Sequence, residues 1–258
     1  MSTKKIIATI GPASFAPSII KGMDRAGVDI FRINLSHTQI EDFEVVYEMT
    51  TSWTDKPVCP DTQGVRMRSS RNKHGFSARD LEMFPILNRL RVPIVFLSFC
   101  SYAEDVARLK ENFDYDVEVI SKIESKRGLQ NVKEIAAVSD GLLIDRGDLS
   151  KDVPLFKIPY AQDYIMEWAW PQTPVYVATN LMESMMSAAE PTRAEVNDIV
   201  KTLDAGASGL VLAGETAIGR HPLRAVEALR EVMQGHASHS ALDGSCSDED
   251  IVHWLIAN

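Results

Sequence analysis

Residues 118–150 read EVISKIESKRGLQNVKEIAAVSDGLLIDRGDLS, and this stretch decides the fold. Two apolar runs, 117–123 and 141–144, each end in charged residues. Between them Val132, Ile135 and Ala136 follow a helical spacing over the length that a parallel crossover needs. The pattern predicts a strand, a helix and a parallel strand. Lys122 and Glu124 are two residues apart, which puts them on one face of the first strand, while Asp145 and Asp148 follow the second. Parallel sheets build their sites at the carboxyl ends of strands, so an ammonium and several carboxylates converging there suggest a divalent metal beside a cationic anchor. Lys-x-Glu alone reads more readily as a surface ion pair. The R-G-D at the end of the neighbouring strand favours the site.

Outward from this unit, short apolar runs near 5–10, 29–34, 57–62, 94–98, 117–123, 141–145, 174–178 and 209–212 alternate with helical patterns. The helices are expected near 15–27, 38–52, 78–90, 102–113, 126–137, 158–170, 192–205 and 221–235. This alternation predicts a (β/α)8 TIM barrel, for which 258 residues is a suitable length. Capping boxes are expected at Ser101 with Glu104 and at Thr192 with Glu195, and a related cap at Ser77 with Asp80. Gly27 and Gly206 stand where helices end in a left-handed residue. Beyond about Gly235 the chain turns polar and rich in Ser and Asp. Residues 1–236 therefore read as one barrel domain, and 237–258 as a polar tail or a short docking helix at 251–256.

The balance of 27 basic against 36 acidic residues gives a formal charge of -9. That excludes the basic footprint of a nucleic-acid binder, and an anionic substrate must be met by local cations or a metal. Cys59, Cys100 and Cys246 are odd in number and lack metal-ligand spacing, which points to reduced, buried thiols and a cytoplasmic protein. No apolar stretch has the length of a membrane span or signal sequence, so no membrane partner is expected.

Several segments together resemble the pyruvate kinase family: ISKIESKRGL (120–129), SDGLLIDRGDL (139–149), ATNLMESM (178–185), PTRAEVND (191–198), TIGPAS (9–14), FRINLSH (31–37), DTQG (61–64) and LAGETAIG (212–219). They are ordered and spread over nearly the whole chain. The resemblance implies a barrel of the phosphoenolpyruvate- and pyruvate-binding type. It implies Mg2+ or Mn2+ on Glu124 and Asp148, and K+ on Asn34, Ser36, Asp61 and Thr62. Arg32 would contact the transferring phosphoryl group, Lys122 would stabilise charge on the enolate oxygen or that group, and Thr179 would lie by the substrate methyl carbon. Gly147 and Asp148 would bind the substrate carboxylate through their N–H groups, with Ser98 lining the site. His37 and Arg68 would lie on the nucleotide side. Two of these motifs have simpler readings that stay open: His37 as a helix-capping residue and Asp61-Thr62 as an Asx turn.

The sequence also departs from the family. Gln63 stands where Lys is usual, Ala213 where Ser is more frequent, and Asp145 where a small residue is usual. Asp145 has three open readings: a modifier of the metal shell, a base, or a partner for an Arg at the rim. The inserted lid domain is expected to be replaced by a short link near 69–76, and no carboxy-terminal regulatory domain is expected. The expected function is therefore a pyruvate-kinase-like enzyme acting on phosphoenolpyruvate or pyruvate through a metal-bound enolate, with weak phosphoryl transfer to ADP. A lyase, decarboxylase or aldol-type enzyme on the same enolate is the alternative, and a non-catalytic regulatory paralogue is a third reading. The expected partners are a small 2-oxo acid or phosphoenolpyruvate and ADP or ATP; a homo-oligomer is left open.

Overall fold

In six of the eight strands the inward-pointing side chains run from apolar at the amino end to polar at the carboxyl end, and this gradient sets both the core and the site. The computed structural model describes residues 4–66, 75–169 and 172–242, together with 252, 254 and 256. Most of the link near 69–76, Arg68, Cys246 and half of 251–256 lie outside the described residues. Eight strands, β1 (Lys5–Ile10), β2 (Ile30–Asn34), β3 (Val58–Asp61), β4 (Ile94–Leu97), β5 (Glu118–Ile123), β6 (Gly141–Asp145), β7 (Val175–Ala178) and β8 (Gly209–Leu212), form a closed, all-parallel barrel in sequence order, with β8 returning to β1. The TIM-barrel expectation holds.

Side chains two apart along a strand share a face. Inside the barrel, Ile7, Ile30, Cys59, Ile94, Phe96, Ile120, Leu143, Tyr176 and Val211 form one buried cluster. Two residues further along the same faces come Thr9, Arg32, Asp61, Ser98, Lys122 and Asp145, all buried. The opposite faces carry Ile6, Phe31, Val95, Val119, Leu142 and Val177, which pack under the helices in a second, larger core. The apolar interior thus ends in a polar layer at one mouth, which is where a barrel of this kind places its chemistry.

The connecting helices are α1 (Pro17–Arg25), α2 (Ile40–Thr51), α3 (Ala78–Leu90), α4 (Ala103–Lys110), α5 (Lys126–Gln130), α6 (Val132–Ala136), α7 (Arg146–Leu149), α8 (Ile158–Ala169), α9 (Arg193–Asp204), α10 (Gly214–Ala217) and α11 (Pro222–Ser240). Capping boxes at Ser77–Asp80 and Thr192–Glu195 are present, and Gly27 and Gly206 have φ of 103° and 102°. The box expected at Ser101–Glu104 has slipped by one residue. Tyr102 is the N-cap, and Asp105, not Glu104, accepts the N–H groups of Ser101 and Tyr102. The helix expected over 126–137 is two short helices that meet at Asn131, whose side chain donates to Ser101 O instead of prolonging either helix. α11 runs five residues past its expected end, because no Pro or Gly interrupts residues 236–243. Trp254 then rests against His239 of that helix, ring centroids 5.3 Å apart. Cys59 and Cys100 are buried and form no disulfide. Among the described residues no helix is long and apolar enough to cross a membrane.

Candidate active site

Asp61, at the end of β3, is the hub of the polar layer. Its Oδ2 accepts from Arg32 Nη1 at 3.0 Å and from Lys122 Nζ at 3.1 Å, and its Oδ1 accepts from Ser98 Oγ at 2.9 Å. Lys122 Nζ also reaches Ser98 Oγ at 3.1 Å and lies 3.0 Å from Glu124 Oε1 and 3.8 Å from Asp145 Oδ2. Asp61 is 0% exposed, Glu124 1% and Lys122 5%. Buried charges persist only when paired and hydrogen-bonded, and here the ends of β2, β3, β5 and β6 supply the pairing. Burial alone would favour a neutral Lys122, but Asp61, Glu124 and Asp145 outweigh it and hold the ammonium above the ordinary lysine pKa. Burial pushes the Glu124 carboxyl up to about 7; Lys122 opposes this, while Asp145 and Asp61 reinforce it. Burial also acts to raise Asp145, yet Lys122 and Arg32, with hydrogen bonds from Asp148 N–H and Thr179, bring it below the ordinary carboxylate value.

On the neighbouring strand end, Glu124 Oε2 accepts from Phe99 N at 2.6 Å. Asp145 caps α7: its Oδ1 accepts Asp148 N–H at 3.3 Å and lies 3.3 Å from Thr179 Oγ1. Asp148 faces the same space and pairs with Lys151 at 2.6 Å. Glu124, Asp145 and Asp148 can each present an oxygen within 4.8 Å of the others. Hard carboxylate oxygens so grouped fit Mg2+ or Mn2+. The fit to potassium is weaker. Asn34 and Asp61 are register partners on β2 and β3, but Asp61 is engaged by two cations and a hydroxyl. Thr62 Oγ1 accepts Ser98 N–H, and Asn34 Oδ1 accepts Ser36 N–H.

Backbone geometry at the mouth is costly. Phe99, Thr179 and Asn180 have φ of 52°, 72° and 55°, and for a β-branched Thr this is an outlier that the surroundings must enforce. The enforcing group is Arg146, which donates to Thr179 O at 2.9 and 3.2 Å and to Asn180 O at 3.2 Å, and is itself held by Asp198 at 2.7 and 3.0 Å. Thr179 Oγ1 in turn accepts Gly147 N–H at 2.7 Å. The N–H groups of Gly147 and Asp148, expected to be free for a substrate carboxylate, are both engaged within the protein, so Thr179 and Asp145 must release them before an anion can take them.

The sequence reading missed several positioning residues. Arg146 is the first residue of the R-G-D, where the two following residues carry the signal, and Asp198 stands in a motif whose signal is a cap. Glu195, besides closing its capping box, holds Ser184 N at 2.7 Å and Ser184 Oγ at 2.6 Å. Glu215 accepts from Met182 N and Ala213 N, tying the loops after β7 and β8 together. Asp80 accepts from Gln63 N, Gly64 N, Ser77 N and Ser77 Oγ. Gly64, at φ 66°, lets this loop approach β4, since a Cβ there would lie 2.7 Å from Ser98 O.

Most of the expected residues line one cleft, which adjoins a second hollow, while Asp61 and Thr62 are buried and line neither. A cleft of about 770 Å3 is bordered by Lys122, Glu124, Gly147, Asp148, Thr179 and Ser98, and reaches Arg32, Asn34, Ser36 and His37. A second hollow of about 560 Å3 lies beyond Arg32 and Asn34 and is lined by His37 together with Gly11, Pro12, Phe15, Val46 and Ile218.

A family model described as pyruvate kinase, barrel domain, matches residues 1–83 and 74–226, two pieces that meet where the link runs. A pyruvate kinase of Thermoplasma acidophilum is 29% identical over 310 residues, covering 88% of this chain and 57% of its own length. Those of Thermotoga maritima and Methanocaldococcus jannaschii are 40% and 42% identical over 158 and 149 residues, covering 60% and 56% of this chain. The chain spans from a third to somewhat over half the length of these relatives, 33%, 34% and 57%.

Proposed function

Because the chain belongs to the pyruvate kinase family through its barrel domain, we propose that it is an enzyme that binds phosphoenolpyruvate or pyruvate on the β5–β7 side of the cleft and stabilises the enolate common to both. The observation that carries this reading is Lys122, an ammonium kept charged while buried, 3.0 Å from Glu124 and beside the carboxylates of Asp145 and Asp148. A fixed cation in a site shielded from water stabilises a developing oxyanion far better than the same cation in solvent. A divalent cation, held by Glu124 and Asp148, would supply Lewis-acid charge for the carboxylate and 2-oxo oxygens. Thr179 serves at the substrate methyl carbon, its hydroxyl oriented by Gly147 N–H and Asp145. A hydroxyl is too weak a base to act alone, and the neighbouring carboxylate offers the proton route. Ser98 positions Lys122. Gly147 and Asp148 offer their N–H groups to the substrate carboxylate once Thr179 and Asp145 release them, Thr179 Oγ1 keeping its contact with Asp145.

Phosphoryl transfer to ADP is the weaker half of this proposal. Only residues 62–77 join β3 to α3, too few for a folded lid, and transfer depends on positioning and on excluding water. Arg32, the cation for the phosphoryl group, is committed to Asp61 and Thr9. Gln63 adds no charge, and Arg68 and His37 are left as the nucleotide-side residues. A monovalent cation at Asn34, Ser36, Asp61 and Thr62 stays the family expectation, and Asp61 would have to loosen its hold on Lys122 or Arg32 to share in it. A carbon electrophile meeting the same enolate would give lyase, decarboxylase or aldol-type chemistry, a second reading favoured by the short link. The deciding experiment is proton NMR of pyruvate in deuterated water with Mg2+ or Mn2+. Methyl deuteration well above the protein-free rate is expected; none would overturn the enolate reading.

A further inference from the structure

We propose that Asp145 is a direct third ligand of the divalent cation, so that this chain holds the ion before any substrate arrives. The proposal rests on the reading of Glu124 and Asp148 as a divalent site. Of the two buried carboxylates in this cluster, Glu124 and Asp145, Asp145 is the one with an oxygen that takes no hydrogen bond among the described residues. Glu124 has Oε1 against Lys122 and Oε2 on Phe99 N–H, and Asp148 has Oδ1 on Lys151. Asp145 Oδ1 is fixed by Asp148 N–H and Thr179 Oγ1, whereas among the described residues no donor comes within hydrogen-bond reach of Oδ2, whose nearest cation is Lys122 at 3.8 Å. Its side chain is nine-tenths buried. Asp145 lines the cleft, where an oxygen that takes no donor is open to a cation, and Lys122 is already shared between Asp61 and Glu124.

The consequence is one of ligand count. An octahedral ion on two carboxylates has four positions left for water and substrate, and such an ion is held firmly only when the substrate brings its own oxygens. A third carboxylate from the end of β6 leaves three positions and adds a negative charge. Two of those three suffice for a chelating 2-oxo acid. The ion is then a resident of the protein and not a companion of its substrate. Lys151 is displaced from Asp148 as it enters.

The test is a titration of the full chain with Mn2+ alone, followed by the paramagnetic resonance of free Mn2+ and by water-proton relaxation. Asp145→Asn is the informative variant, because an Asn oxygen still accepts Asp148 N–H, caps α7 and meets Thr179, while the charge and the second oxygen are lost. We expect Mn2+ to bind at least about tenfold more weakly to it, with more water on the bound ion, and pyruvate to recover more of the affinity in the variant than in the natural chain. Glu124→Gln and Asp148→Asn run alongside, with circular dichroism to certify folding. Binding to Asp145→Asn within twofold of the natural chain, while either of the other two is weakened tenfold, overturns the third ligand and leaves the site. Unchanged binding in all of them overturns the divalent site itself.

Discussion

On the arc from β5 to β7 a lysine and three carboxylates crowd together, and nearly every polar atom is fixed by a neighbour. On the arc from β8 through β1 to β2, the second hollow is lined largely by Ile10, Phe15, Ile33, Val46 and Ile218, and Arg32, the cation it shares with the cleft, is spent on Asp61. The first arc is preorganised for charge that develops on one small molecule. The second offers apolar cover and little that would grip a phosphate chain. Under the proposed function, the difference means that the barrel keeps its acid-base and oxyanion chemistry while the partner that receives the phosphoryl group is poorly served, because strand ends supply the first and inserted segments the second.

The largest effect should come from removing the charge on which the first arc depends. Lys122→Met should slow methyl deuteration of pyruvate by at least about a hundredfold, since an apolar chain of similar length cannot balance an oxyanion. Exchange within a few-fold of the natural chain would erase the contrast between the arcs. Next comes transfer from phosphoenolpyruvate to ADP, followed by a coupled assay. It should run roughly a hundredfold below that of a family member with a lid, as expected when the phosphates stay open to water; equal rates would break the comparison from the other side. A finer probe is Gln63→Lys, which returns one cation to the rim of the cleft beyond β3, on the side of Arg32 and His37, and should raise that transfer about tenfold without altering methyl exchange. If both activities rose together, the arcs would not be separable.

The smallest effect concerns the scaffold behind the first arc. Burial tends to raise the Glu195 carboxyl, but hydrogen bonds from Ser184 and Thr192 prevail and hold it below its ordinary value. A depressed acid stabilises the fold above the unfolded-state pKa, and that contribution is lost as pH falls through the folded-state value. Glu195→Gln should therefore cost about 1 kcal/mol at pH 7, and its denaturant midpoint should converge on that of the natural chain below about pH 4. A gap that persists in acid would mean the side chain acts through packing alone.

The barrel was legible because its signals are long and periodic: each strand's two-residue alternation and each helix's apolar spacing repeat eight times, and errors at single ends do not move the whole. Lys122, Glu124, Asp145 and Asp148 were legible for the same reason, since strand ends fix which side chains share a face. What stayed hidden depends on contacts between distant residues. Nothing near Asp61 in the chain announces that Arg32 and Lys122 will close on it. Nothing near Arg146 announces that it will hold the carbonyls of a left-handed Thr179 and Asn180. One-turn helices such as α7 and α10 are too short for any period, and the slip from Ser101 to Tyr102 turns on which of two adjacent acids can reach back to the backbone. The lid and tail readings lie where few described residues test them.

Asp80 carries one more consequence. Its single buried carboxylate grips Gln63 and Gly64 on one side and Ser77 on the other, so the two feet of the connection are pinned together whatever lies between them. Once the ends of a loop are fixed, its length costs little: doubling it adds only about 0.6 kcal/mol of closure entropy. The barrel is thereby insulated from the history of that connection. A whole folded module, or a handful of polar residues, can be spliced between the same two anchor points, and the strand ends that carry the chemistry need not register the exchange.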